Sequence, residues 1–185
     1  MDNGASSYRR YLSGDDDGIV EIVTAYKDGL ILYLNGYVKN IYLAEDIAED
    51  TFFRLMVRKP LFFGRCSFKT WLYTIGRNLA LDHLRHHSKS AELSVEDLEN
   101  CLAEEADLER EYLREEQKLE LHRCLKNLHP DYRQVLYLSY FEGFSNGEIG
   151  RILRKNERQI RNLMYRAKAS LKKELEKEGF TYEEQ

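Results

Sequence analysis

Proline is scarce in this chain: Pro60 and Pro130 are the two that occur in 185 residues. Helices are therefore free to run long. Strict apolar–polar alternation is missing over any useful length, which removes the pattern of a half-buried sheet. No run of about 18 apolar residues exists, so no membrane-spanning helix is expected. The opening stretch MDNGASSYRRYLSGDDD has no apolar centre and does not read as a secretory signal. Three cysteines, Cys66, Cys101 and Cys124, are odd in number and far apart. They suit a reducing cytoplasm better than a disulfide framework. No CxxC or HExxH spacing offers a metal site, and His83, His86 and His87 read as a basic helix end. No glycine-rich phosphate loop and no nucleophile–base set can be read, so nothing points to catalysis or to a cofactor.

What is present is helical periodicity and uneven charge. The net charge of −4 hides a strong pattern. Residues 1–50 carry −6, residues 51–87 carry +6, residues 88–120 carry −8, residues 121–173 carry +8, and the remainder carries −4. Two basic blocks separated by an acidic one suggest two surfaces for a polyanion, held apart by a segment that avoids it.

The apolar stripes predict an all-α chain of two small modules, 8–88 and 108–177, joined by an acidic linker at 89–107. From Asp15 a first helix runs through Ile19, Ile22, Val23, Tyr26, Leu30, Tyr33 and Tyr37. A second begins near Leu43 and puts Ile47, Ala48, Phe52 and Leu55 on one side and Glu45, Asp46, Glu49 and Asp50 on the other. Pro60 ends it. After the short loop LFFGRCS a third helix starts at Phe68 and runs to about Leu84. The linker has room for a short helix at 95–102. A helix resumes near Leu108 and reaches Leu128, and Pro130 opens another that Gly143 closes.

The last two helices carry the clearest motif. Ser145 and Glu148 have capping-box spacing, and Ile149, Ile152 and Leu153 form the inner face of a short helix. Arg154, Lys155 and Asn156 turn a corner, with Asn156 suited to left-handed backbone angles. Ile160, Leu163, Met164, Ala167 and Leu171 stripe the next helix, leaving Arg158, Gln159, Arg161, Asn162, Arg166 and Lys168 off the buried face. Two helices and a tight turn, the second helix basic, read as a helix-turn-helix for the DNA major groove. A solvated helical hairpin in a bundle is the other reading of the same spacing.

Four segments, AEDIAEDTFFRLM, SFKTWLYTIGRNLALDHLR, LHPDYRQVLYLSYFEGFSNGEIGRIL and RQIRNLMYRAKASLKKEL, resemble in order and spacing the extracytoplasmic-function (ECF) group of bacterial sigma factors in the sigma-70 family. The resemblance implies a cytoplasmic transcription initiation factor rather than an enzyme, with a region 2 bundle and a region 4 helix-turn-helix. Its implied partners are the β′ and β subunits of core RNA polymerase, promoter DNA, and an anti-sigma factor that is often membrane-bound. On this likeness Glu45, Asp46, Glu49, Asp50 and Phe53 dock on the polymerase. Phe62, Phe63, Arg65, Lys69, Trp71, Arg77, Asn78 and Arg85 melt and read the −10 element. Among them Asn78 and the 62–67 loop suit base contact, and Lys69, Arg77 and Arg85 suit phosphates. Lys155, Arg158, Gln159, Arg161, Asn162, Arg166 and Lys168 serve the −35 element, with Lys155, Arg166 and Lys168 as phosphate clamps. The chain departs from the family pattern at Glu49-Asp50, at Glu157 and at Leu163, which bears on contacts and preferred sequence rather than on fold. The alternative is a stand-alone helix-turn-helix regulator that binds operators as a dimer; a helical adaptor for acidic proteins is a third. Packing of the two modules against each other would hide basic faces and give an inhibited form.

Overall fold

In the computed structural model the described residues are 3–87 and 124–177. Every regular element among them is a helix. The linker helices expected at 95–102 and from Leu108 lie outside the described residues, apart from a helical turn at 124–126.

The first module has four helices: α1 (Asn3–Leu12), α2 (Asp17–Val38), α3 (Ile41–Arg58) and α4 (Phe68–His87). The helix before Asp15 was not expected. α1 contributes tyrosines rather than an aliphatic stripe. Tyr8 is wholly buried, and its hydroxyl donates to the Pro60 carbonyl at 2.8 Å while Tyr11 donates to the Met56 carbonyl at 3.1 Å. Those two bonds satisfy carbonyls at and beyond the end of α3, where the chain leaves the helix. α2 stops at Lys39, which takes a left-handed conformation at φ 53°. Asn40 then caps α3 by accepting from the Leu43 N–H at 2.9 Å. Leu30, Leu34, Ile41, Leu55 and Leu72 are fully buried where α2, α3 and α4 meet. Each such side chain contributes roughly 1.5–3 kcal/mol by leaving water.

The second module comprises α5 (Pro130–Tyr140), α6 (Asn146–Leu153) and α7 (Glu157–Lys177). Pro130 sits in the first turn of α5, where its missing N–H costs nothing. The expected capping box is present at α6: Ser145 Oγ accepts from the Glu148 N–H, and Glu148 accepts from the Ser145 N–H at 3.0 Å. The corner differs from expectation. Arg154, not Asn156, takes the left-handed angle, at φ 55°. Asn156 is committed elsewhere: its side chain accepts from the Gln159 N–H at 2.9 Å, and Gln159 accepts from the Asn156 N–H at 2.8 Å. That reciprocal pair starts α7.

The two modules share one core. α5 packs along α2 and α6 packs across α4. Tyr33 stacks on Tyr137 at 6.2 Å, and Tyr73 meets Phe144 edge-on at 5.2 Å. Burial pushes the hydroxyls of Tyr33, Tyr73 and Tyr137 well above the ordinary tyrosine range, so these rings stay neutral.

Candidate nucleic-acid and partner interfaces

Three surfaces gather the candidate residues. On α3, Asp46, Glu49 and Asp50 are exposed and Glu45 is half-buried. Beside the carboxylates lies bare apolar surface: Phe53 is 57 % exposed and Val57 62 %. Phe53 also borders a groove of about 400 Å³ floored by Val23, Phe52 and Met56 and edged by Lys27, Glu49 and Asp50. Carboxylates and bare apolar side chains thus stand together on one helix, a combination complementary to a basic, partly apolar surface.

The second surface is the loop after α3 and the start of α4. Phe62 folds inward, 5.6 Å and edge-on from Phe68 and 5.2 Å from Trp71. Trp71 itself is half-buried among Tyr8, Phe62 and Phe68, so it supports the loop from below. Phe63 points out, 75 % exposed, with the Arg65 guanidinium 6.0 Å from its ring. Between the two phenylalanines opens a groove of about 550 Å³, walled by Ala5 and Arg9 of α1 and by Gly64, Cys66 and Ser67. Arg9 was missed in the sequence because no helix was expected there.

Further along α4 the candidates are engaged. Lys69 forms an ion pair with Glu142 at 2.8 Å, from the other module. Arg77 donates to the Tyr37 hydroxyl at 3.0 Å. Asn78 accepts from Arg154 at 3.1 Å. Arg85 pairs with Asp82 at 3.0 Å on the exposed side. His83 is half-buried and His86 exposed, and no group of metal-ligating side chains forms among the described residues.

The third surface is α7. Arg158, Gln159, Arg161, Asn162, Arg166 and Lys168 are all exposed. Arg161 has Glu157 at 3.5 Å, one turn back, and half-buried Lys155 lies 3.8 Å from Asp131. Gln159 has its side-chain carbonyl occupied by the cap, which leaves its amide N–H groups to face outward. The structure adds Tyr165. It is 79 % exposed and falls on the stripe 158, 161, 162, 165. An aromatic on that stripe is legible in the spacing.

The stretches that make these surfaces match known families. Residues 22–90 match the model for Sigma-70 region 2, and residues 118–171 match that for Sigma-70, region 4. The ECF RNA polymerase sigma factor SigW of Bacillus subtilis is 30 % identical over 175 residues, covering 88 % of this chain and 91 % of SigW.

The chain belongs to the ECF RNA polymerase sigma factors of the sigma-70 family.

A further similarity is to the ECF RNA polymerase sigma factor BldN of Streptomyces coelicolor, 29 % identical over 164 residues, or 88 % of this chain; the match spans 62 % of BldN. The fold resembles CnrH in its complex with the cytosolic domain of CnrY, with a TM-score of 0.62, 20 % identity and coverage of 94 % and 95 % of the two chains. It also resembles the sigma factor RpoE of Bartonella quintana in complex with the anti-sigma factor NepR, with a TM-score of 0.62, 19 % identity and coverage of 84 % and 95 %. In sigma terms α2, α3 and α4 form region 2, and α5, α6 and α7 lie in region 4. No helix of the described residues is long and apolar enough to cross a membrane.

Proposed function

We propose that this sigma factor binds core RNA polymerase through α3, opens and reads the −10 element with the 62–67 loop and α4, and reads the −35 element with α7. It works by binding rather than by catalysis. The observation that carries the reading is an outward helix-turn-helix face on the same chain as an acidic-and-apolar helix, in a member of the ECF sigma factors. A lone operator-binding regulator has no use for the α3 face.

The chemistry of each surface suits its part. Strand opening costs stacking and pairing energy, which a flipped or exposed base regains by stacking on an aromatic, about 1–3 kcal/mol per base. Phe63 offers such a ring, and the groove between Phe62 and Phe63 is a place for a base. Arginine takes guanine through two hydrogen bonds and asparagine takes adenine, so Arg161 and Asn162 are the base readers. Tyr165 adds apolar contact for a thymine methyl. Residues 8–88 act as the −10 module, 89–107 as the acidic linker and 108–177 as the −35 module, with α1 joining the first. An anti-sigma factor restrains the chain in the cell, holding it at the inner face of the membrane when that partner is an integral one.

In vitro transcription with core enzyme on genomic fragments tests the reading. Transcripts that need both core and this chain are expected. Duplex binding as a dimer without polymerase, and no transcript from any template, supports the stand-alone regulator instead.

A further inference from the structure

α1 precedes the stretch that matches region 2, which begins at residue 22. It carries two consecutive arginines with different fates. Arg10 is neutralised: it pairs with Asp15 at 2.7 Å and with Glu21 at 2.8 Å. Arg9 makes no ion pair among the described residues. Its Nε donates to the Ala5 carbonyl at 3.2 Å, which lays the side chain back along α1 and leaves both terminal nitrogens for another acceptor. Arg9 is exposed and, with Ala5, forms the α1 wall of the groove of about 550 Å³ whose remaining walls come from the 62–67 loop.

Packing on both sides fixes where Arg9 stands. The hydroxyls of Tyr8 and Tyr11, which flank the two arginines, bond to the carbonyls of Pro60 and Met56 just ahead of the loop. Nearer the start of α1, Gly4 lets the backbone rest on Phe68: a Cβ there would lie 2.6 Å from Phe68 Cδ1. Phe68 is the ring against which Phe62 folds, edge-on at 5.6 Å. α1 and the loop therefore share one support, and the guanidinium is delivered to the groove wall by the fold.

The groove has the makeup of a site for one nucleotide. Its volume falls within the roughly 300–1,000 Å³ of small-molecule sites. Phe62 and Phe63 supply ring surface for a base. No carboxylate lines it, in contrast to the groove on α3 edged by Glu49 and Asp50. The cations of α4 are engaged, Lys69 by Glu142, Arg77 by Tyr37 and Arg85 by Asp82. Arg9 in the groove wall and Arg65 beside Phe63 have no carboxylate partner among the described residues. A guanidinium takes a phosphate through two parallel N–H groups, a geometry that lysine lacks.

We propose that α1 is a working part of the −10 site, with Arg9 clamping the phosphate of the nucleotide whose base enters the groove. This rests on the −10 assignment made above. It extends that assignment to a helix outside the family match and to a phosphate contact at one linkage of the opened strand. A base inside the duplex is not available to the groove, so base and phosphate are captured together only after opening. A contact made in one state alone shifts the balance toward that state. Arg9 therefore stabilises the open complex and leaves the closed one unchanged.

The test uses the full chain with core enzyme on a promoter fragment that yields a transcript. One phosphate at a time, across both strands of the −10 element, is replaced by a neutral methylphosphonate, and the lifetime of the open complex under a heparin challenge is read. With wild type, one linkage should shorten the lifetime about tenfold, the size of one hydrogen bond to a charged group. Arg9→Gln should lose as much on the natural strand, show no further loss at that linkage, and keep its sensitivity at the others. Arg9→Lys should recover part of the lifetime. Arg9 is exposed, so circular-dichroism melts of both variants should match wild type. An unchanged lifetime in Arg9→Gln overturns the clamp, as does a shortened one that still falls further at every linkage. Weaker capture of Arg9→Gln by immobilised core enzyme also overturns it, because the residue then serves the polymerase. In those cases the −10 reading stands if Phe63→Ala shortens the lifetime, and only this inference falls. If no fragment yields a transcript, the promoter reading falls and takes this inference with it.

Discussion

At the residue scale, α7 separates two kinds of cation. Arg161 lies on the outermost stripe with Asn162 and Tyr165, whereas Lys168 stands 5.8 Å from the Tyr140 ring, back toward the body of the module. Only a side chain that reaches base edges discriminates sequence; a phosphate contact strengthens all sequences alike. Arg161→Ala in the holoenzyme should therefore cost about 1–3 kcal/mol on the preferred −35 sequence and relax one base position. Lys168→Ala should weaken every duplex by a similar factor and reduce the salt slope by about one. Run-off transcription across a set of single-base promoter changes, at two salt concentrations, separates the patterns. A flat loss for Arg161→Ala would make it a clamp. The sequence supported this set of side chains because helical spacing alone fixes which residues face outward. It misassigned the corner because two asparagine roles compete: Asn156 tolerates left-handed angles, yet as the cap of α7 it needs a different backbone, and Arg154 takes the strained position.

At the element scale, α3 presents charge and apolar surface side by side, and the two do different work. Rim carboxylates steer encounter and set register, while a large apolar side chain entering a partner pocket carries much of the binding energy. Phe53→Ala should weaken association with core polymerase by about 2 kcal/mol or more, chiefly through faster dissociation. Asp50→Asn should slow association and flatten its salt dependence, with little change in dissociation. Surface plasmon resonance on immobilised core enzyme reads both rates; a Phe53→Ala variant with unchanged dissociation would remove the ring from the interface. Periodicity found α2, α3, α4 and the last three helices because each buries an aliphatic stripe. It missed α1 because SSYRRYLSGDDD has little such stripe. What holds α1 is Tyr8 and Tyr11, whose hydroxyls reach backbone carbonyls more than forty positions away at Pro60 and Met56. A local pattern holds no trace of such bonds.

At the scale of the whole molecule, the closure between regions 2 and 4 was foreseen only as a conditional form, since its bonds join residues 67 to 148, 69 to 142 and 36 to 133. The start of α4 is covered by this contact, whereas the outer face of α7 stays exposed. Acid should release the closure. Burial alone would push the Glu148 carboxyl up, but hydrogen bonds from the Ser145 N–H and from the hydroxyls of Ser145, Ser67 and Thr70 outweigh it and hold the group below its ordinary value of 4.5. A depressed carboxyl stabilises above the ordinary value, and that stabilisation is lost as the pH falls through the depressed one. The Ser145 bonds belong to the α6 cap and persist when the modules part, whereas the Ser67 and Thr70 bonds do not. The groups that bond Glu148 across the contact, Ser67 and Thr70, are hydroxyls without a titrating charge. Scattering recorded from neutral pH down through the carboxyl range should show the wild-type chain expanding while its helical circular dichroism is largely kept. In Glu148→Gln the expansion step should shrink, because the carboxylate that takes up the proton is gone. A step of unchanged size in that variant would place the acid sensitivity of the closure on other groups.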